Sequence, residues 1–269
     1  DNRGFRVNHS NNSIYTSMTS VKKFSNQAAE DLYLLSQNNT YDNIIDLLYD
    51  IINKTSVNIG QLEVLAQINY FGEFAGEKTI LALLPLFHKQ HGLANNTRVG
   101  LPKIAKLNLN INDVIACGRM SDSGATVLDF NPRQFLIDYA KEYESDINKS
   151  TYNLFEKIIQ EYDCVGTTTI TNEKIPANIG IVIEFSKNQY GTGFIDLYRP
   201  FNGEIETLKI KGYILKDNPL QQFDIIQTIN DAYEFKKRKI DGKFVVLEEK
   251  EHILYKYQII TLYINLINI

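Results

Sequence analysis

Two stretches of this sequence set cations beside groups that could hold a nucleic-acid backbone. In SVKKFSNQAAEDL, residues 20–32, Lys22 and Lys23 stand just before Ser25 and a helical spacing of apolar residues at Ala28, Leu32 and Leu35. A phosphate in front of that helix would meet its N-terminal amides, the positive end of its dipole and two ammonium groups. In FKKRK, residues 235–239, the cations Lys236, Lys237, Arg238 and Lys239 follow Tyr233 and precede Phe244. Basic and aromatic groups together suit single-stranded nucleic acid. Each stretch also reads as a solvated basic turn. The candidate DNA-contacting residues are therefore Lys22, Lys23, Ser25, Lys236, Lys237, Arg238 and Lys239.

Other chemistry is harder to assemble. His88-x-x-His91 puts two imidazoles on one helical face, but no acidic residue stands between them and no third ligand is evident, so a solvated helix end is the expectation. His9 and His252 are isolated, and no Ser/His/Asp or Cys/His order emerges. Gly191-x-Gly193 lies between strand-like segments and reads as a hairpin turn rather than a dinucleotide loop. Two-metal catalysis needs carboxylates clustered around ions about 3.5–4 Å apart. Here they fall mostly on helix surfaces, as in Glu30-Asp31 and Glu142-x-Glu144. No catalytic residue, metal ligand or cofactor is assigned within this segment.

Composition narrows the setting. The net charge is -4 over 269 residues, which argues against an all-round positive coat and leaves local patches as the route to nucleic acid. In residues 207–243 lysines and Arg238 outnumber the carboxylates Asp217, Asp224, Asp231, Glu234 and Asp241. Cys117 and Cys164 show no disulfide or zinc spacing, so a reducing cytoplasm is expected. No run approaches the roughly 18 apolar residues of a membrane span, and the tail TLYINLINI is short and interrupted by Asn. The chain opens at Asp1 without a basic and apolar leader, and the expectation is a piece of a longer protein.

The elements that must position these residues change character along the chain. From Ser25 to Phe87 four short helices are expected: one capped by Ser25, one capped by Thr40 with Ile44, Leu47, Leu48, Ile51 and Ile52 inward, one opened by Asn58 with Gln61 as a capping box, and one from Glu77 that Pro85 kinks or ends. Residues 92–132 read as loops around one or two short helices, the clearest at Asn112–Cys117. Helices near Arg133–Tyr143 and Thr151–Tyr162 follow, and the helical half stops at Gly166. Beyond Ile175-Pro176 the period falls toward 2. IGIVIEF, GFIDLYR, ETLKIKG, DIIQTI, KFVVLEE and KYQII give about six strands, with a turn at Asp241-Gly242, as in a small oligonucleotide-binding-type barrel or a sandwich. The fold class expected is α+β: a compact helical module over 1–92, a helical and loop connection over 93–166, and an oligonucleotide-binding-like β domain over 167–269. ALLPLF (82–87) and QFLIDY (134–139) have the composition of short sliding-clamp-binding peptides, although both sit on amphipathic helices that need those residues for the core.

The order of these segments resembles the region after the fingers in the α subunit of bacterial DNA polymerase III, including its phage versions. The resemblance rests on SVKKFSNQAAEDL, TYDNIIDLLYDI and TSVNIGQLEVLAQINYFGEFAGEKTILALL, with Val57-Asn58, Leu62-Glu63-x-Leu65 and Phe71-Gly72 as matching points, and more weakly on EYDCVG, NPLQQFDII and LYKYQII. It implies that the helical module over 1–92 is helix-hairpin-helix-like and DNA-binding. It also implies a non-catalytic part of a replicative polymerase that holds DNA, with magnesium and the nucleotidyltransferase carboxylates in the rest of the parent chain, and a sliding clamp as a further partner. The alternative is a stand-alone DNA- or clamp-binding adaptor. One departure stands out: where the family commonly carries a Gly-x-Gly hairpin, this sequence has Lys23 and Ser25. Duplex contact is then expected from the side chains of Lys22 and Lys23, or to be weak.

Overall fold

The computed structural model describes residues 6–8, 13–15, 17–92, 97–100, 119–120, 127–240 and 243–260. The expected helix at Asn112–Cys117, the Asp241-Gly242 turn and the tail after Ile260 lie outside the described residues. The chain divides into two compact units, Asp1–Asn153 and Leu154–Ile269. The first is mainly helical and the second is built on a sheet, so the molecule mixes helix and strand as its sequence suggests.

In the first unit a short strand pair, β1 (Arg6–Asn8) and β2 (Ser13–Tyr15), precedes a 3-10 turn at Met18–Ser20 and helix α1 (Asn26–Asn38). Helices α2 (Ile44–Lys54), α3 (Ile59–Gln67) and α4 (Glu77–Gln90) follow. Each start is dictated locally. The Ser25 hydroxyl accepts from Ala28 N, Asn43 Oδ1 accepts from Asp46 N, and Asn58 with Gln61 forms a reciprocal capping box. Such caps contribute about 1 kcal/mol each. Thr40 was the expected cap of α2. Asn43 takes the role because it immediately precedes Ile44, the first residue of the buried face.

Helix α4 continues past Pro85 to Gln90, so the proline does not end it. Pro85 is exposed, while Leu83, Leu84 and Phe87 on the opposite side are fully buried. The backbone hydrogen bond that proline removes therefore falls on the side of the helix nearer solvent. Each of the three buried side chains contributes roughly 1.5–3 kcal/mol. Burial outweighs the proline. Residues 97–130 depart further from expectation: β3 (Thr97–Gly100), β4 (Arg119–Met120) and β5 (Val127–Phe130) form a three-stranded antiparallel sheet in the order β3-β5-β4 where loops and helix were expected. Helices α5 (Pro132–Glu144) and α6 (Ile147–Ser150) complete the unit, with α5 against α2 and α4.

The second unit begins with helix α7 (Leu154–Val165), which ends at Gly166 in a left-handed turn. This helix was expected to belong to the connecting region. It instead buries Phe155 and Ile158 against Ile179, Ile181, Ile183 and Tyr198, on one side of the sheet. The strands are β6 (Ile179–Lys187), β7 (Gly193–Tyr198), β8 (Ile205–Ile210), β9 (Ile225–Ile240) and β10 (Lys243–Ile259), with helix α8 (Gly212–Asp217) between β8 and β9. The ladders run β10-β8-β7-β6-β9 and close because β9 also pairs with β10; all pairs are antiparallel except β8 with β10. Val182, Ile195, Leu197, Leu208, Ile210, Ile226 and Leu254 fill the interior, and Leu215 of α8 joins them. Gly193 makes room for it: a Cβ there would stand 2.4 Å from Leu215 Cδ1.

Five strands replace the expected six. KFVVLEE and KYQII are parts of one long β10, and FKKRK is strand rather than turn.

Candidate nucleic-acid interface

The first candidate set lies in the helical unit. Val21 and Met18 are buried and anchor a tight turn in which Phe24 N donates to Val21 O. Lys22 and Lys23 are exposed on that turn. Lys23 has φ of 69°, the left-handed region that glycine occupies without strain. Gln61 Nε2 donates to the Lys23 carbonyl at 2.8 Å, so the third helix holds the turn in place. Ser25 is exposed, but its hydroxyl accepts from Ala28 N at 3.1 Å. Its role is to cap α1, and through that cap it sets the helix end behind the two lysines.

The second set lies on an arm. Strand β9 pairs with β6 only over Ile225–Gln227, and β10 pairs with β8 only at Ile253 and Leu254. From Ile229 to Ile240 and from Lys243 to His252 the two strands pair with each other alone, forming a ribbon that extends roughly 35–40 Å. A two-stranded ribbon has no interior of its own, so apolar side chains on it meet water or a partner. Tyr233 is 66% exposed, Phe235 49% and Phe244 72%, with Val245 and Val246 also exposed. Such a concentration marks an interaction surface.

Within FKKRK the strand alternates sides. Lys237 stands opposite Val246 and Arg238 opposite Val245, both exposed; Lys239 is opposite Phe244 in the register. Lys236 points to the other side from Lys237 and donates to Glu249 Oε2 at 2.7 Å. That hydrogen bond raises the Lys236 pKa and holds Glu249 below its ordinary value. The sequence did not reveal which cross-strand groups support the aromatic residues. Lys250 Nζ sits 5.1 Å from the Phe235 ring centroid, and the His252 ring stacks on Tyr233 at 4.2 Å while its Nε2 is 2.5 Å from Asp231 Oδ2. A bulge between Val246 and Lys250 sets that register, and no simple spacing announces it.

The remaining motifs resolve as follows. Gly191 has φ of 80° in a turn closed by Asn188, which joins β6 to β7 as a hairpin. His88 and His91 stack at the end of α4, and among the described residues no group of three His, Cys, Asp or Glu is placed to hold a metal ion. Leu83, Leu84 and Phe87 of ALLPLF, like Phe135 and Leu136 of QFLIDY, are buried in the helical unit. Leu86 of the first segment and Ile137 and Tyr139 of the second are half-buried. Among the described residues no helix is long and apolar enough to cross a membrane. No known family model and no curated protein matches this chain.

Proposed function

We propose that this chain is a non-catalytic, DNA-holding segment of a replicative polymerase of the polymerase III α type, and that its sheet unit is the part that grips unpaired DNA. The observation that carries the proposal is the arm, which places cations and exposed aromatic rings together on a ribbon extending from a closed five-stranded ladder. Three features support an oligonucleotide-binding type of barrel. The first strand pairs with the second and fourth, the third pairs in parallel with the fifth, and a helix between the third and fourth contributes Leu215 to the interior. Barrels of this type bind oligonucleotides on the face of their second and third strands and on the loops joining strands one to two and four to five. Here the connection between the fourth and fifth strands is the basic arm itself.

The helical unit adds the lysine turn, which we assign to duplex backbone by resemblance of residues 20–84 to the polymerase family. In this reading magnesium and nucleotidyl transfer belong to the rest of the parent chain. A second reading, an adaptor that binds DNA with no polymerase attached, rests on the same arm. The test is fluorescence anisotropy of the chain with labelled single-stranded and primed-duplex DNA across a salt series. Affinity that falls with salt and favours single strands is expected, because phosphate neutralisation releases counterions and stacking needs unpaired bases. Equal weak binding to both forms, or none at low salt, would overturn the proposal.

A further inference from the structure

The two faces of the arm are chemically different, and that difference extends the DNA-holding reading on which it rests. Cross-strand register places Tyr233 with His252, Phe235 with Lys250 and Lys237 with Val246, and Phe244 lies further along the same side. The opposite side carries Glu234, Lys236, Arg238, Lys243, Glu249 and Glu251. There Lys236 is bridged to Glu249, Lys209 Nζ donates to Glu251 at 2.8 Å, and Tyr255 donates to Glu234. One face therefore displays rings with ammonium groups, and its carboxylate at the barrel end, Asp231, is engaged by His252. The other mixes three carboxylates, each engaged, with Lys236, Arg238 and Lys243.

We propose that the arm binds single-stranded DNA on one face only, with unpaired bases stacked on Tyr233, Phe235 and Phe244 and phosphates passing Lys237 and Lys250. The rings select the face: exposed Tyr233, Phe235 and Phe244 all stand on the side of Lys237 and Lys250, whereas the other side carries cations and carboxylates in equal number without those rings. Geometry selects the strand form. Same-face residues on a strand are about 6.8 Å apart, twice the 3.4 Å advance per nucleotide of a stacked duplex strand. Rings at that spacing suit bases separated from one another, and paired bases in a duplex offer no free face. Cross-strand neighbours on the same side hold the rings in place. His252 covers one side of the Tyr233 ring, and Lys250 sits by the Phe235 ring, placing an ammonium group beside the stacking surface. Of the basic run, Lys236 and Arg238 fall on the non-binding face and Lys237 on the binding one.

The experiment measures anisotropy of fluorescein-labelled oligo(dT) with the full chain, its Y233A/F235A variant and its K236A/E249A variant. The first substitution should raise Kd about 10-fold or more, since each base-to-ring stack is lost outright. The second, which removes an ion pair from the other face at no net change in charge, should leave Kd within about 2-fold. Y233L/F235L, which keeps apolar bulk on the strand, should lose affinity like the alanine pair; retention of wild-type affinity in it would overturn the stacking assignment. If the wild-type chain binds but the two faces contribute equally, or the aromatic variant binds normally, the one-face inference fails and the DNA-holding reading stands. If the wild-type chain does not bind, both fail.

Discussion

Lys23 shows how one residue can serve a contact and strain the backbone at once. Holding a non-glycine residue in the left-handed region costs roughly 1–2 kcal/mol, and here the turn is fixed from outside by Gln61. Lys23→Gly should leave stability unchanged or raise it by up to about 1 kcal/mol, because relief of strain exceeds the extra entropy of an unfolded glycine. Lys23→Val, with its branched Cβ, should lower it. Chemical denaturation of the two variants checks the order. In the DNA assay, Lys22→Ala/Lys23→Ala should weaken duplex binding and flatten its salt slope; an unchanged slope would remove these lysines from the interface. Arg199 makes a similar argument in the sheet unit. It is 6% exposed, and its guanidinium donates to Glu206 Oε2 at 2.8–2.9 Å with Thr228 nearby. Glu206→Gln leaves a buried cation without its counter-charge and should cost about 1–3 kcal/mol, read as a lower urea midpoint.

At the scale of elements, α4 is held by its start more than by its proline. Glu144 of α5 accepts from Gly76 N at 2.9 Å and from the Thr79 hydroxyl, and Glu77 accepts from Tyr152 N. A Cβ on Gly76 would lie 2.3 Å from Ser150 O, a backbone atom that cannot step aside cheaply. Gly76→Ala should therefore cost about 1–3 kcal/mol and speed hydrogen exchange at the first amides of α4. A variant as stable as wild type would show that the Ser150 backbone yields. Elements with local signals were legible in the sequence: the Ser25 cap, the Asn58–Gln61 box, the Gly191 hairpin and the Gly166 stop each depend on residues within a few positions. What escaped depended on distant partners. Pro85 is harmless only because it faces water, α7 joins the sheet unit only because Ile181 and Tyr198 await its Phe155, and GYILKD is too short to show a helical period. The arm was half legible. Its residue types were plain in FKKRK, Tyr233 and Phe244, but the period-2 pattern that marks a strand reflects burial on one side, and this ribbon has none. Its faces depend on a bulge that only pairing fixes.

Across the whole molecule, the two units share a weakness on the alkaline side. Tyr257, in the interior of the sheet unit, donates to the Asn218 carbonyl, and burial together with Asp224 pushes its pKa up to about 12. Tyr41, in the helical unit, donates to Asp50 Oδ2 at 2.9 Å and is also pushed up to about 12, by burial and then by that carboxylate. A tyrosine is neutral below its pKa and ionises near 10 in an unfolded chain. Its stabilising contribution is thus complete below about pH 10 and is lost as pH rises toward 12, because the unfolded chain releases its proton first. For Tyr257, at 6% exposure, this upward displacement corresponds to roughly 2–3 kcal/mol; Tyr41 is more exposed and contributes less. Thermal melts from pH 9 to 12 should show falling stability in both units. Tyr257→Phe removes the ionisable group from the sheet unit alone. That unit should then lose less of its melting temperature between pH 10 and 12, while the helical unit keeps its full alkaline loss. An equal loss in variant and wild type would mean that the Tyr257 hydroxyl ionises as readily in the fold as out of it.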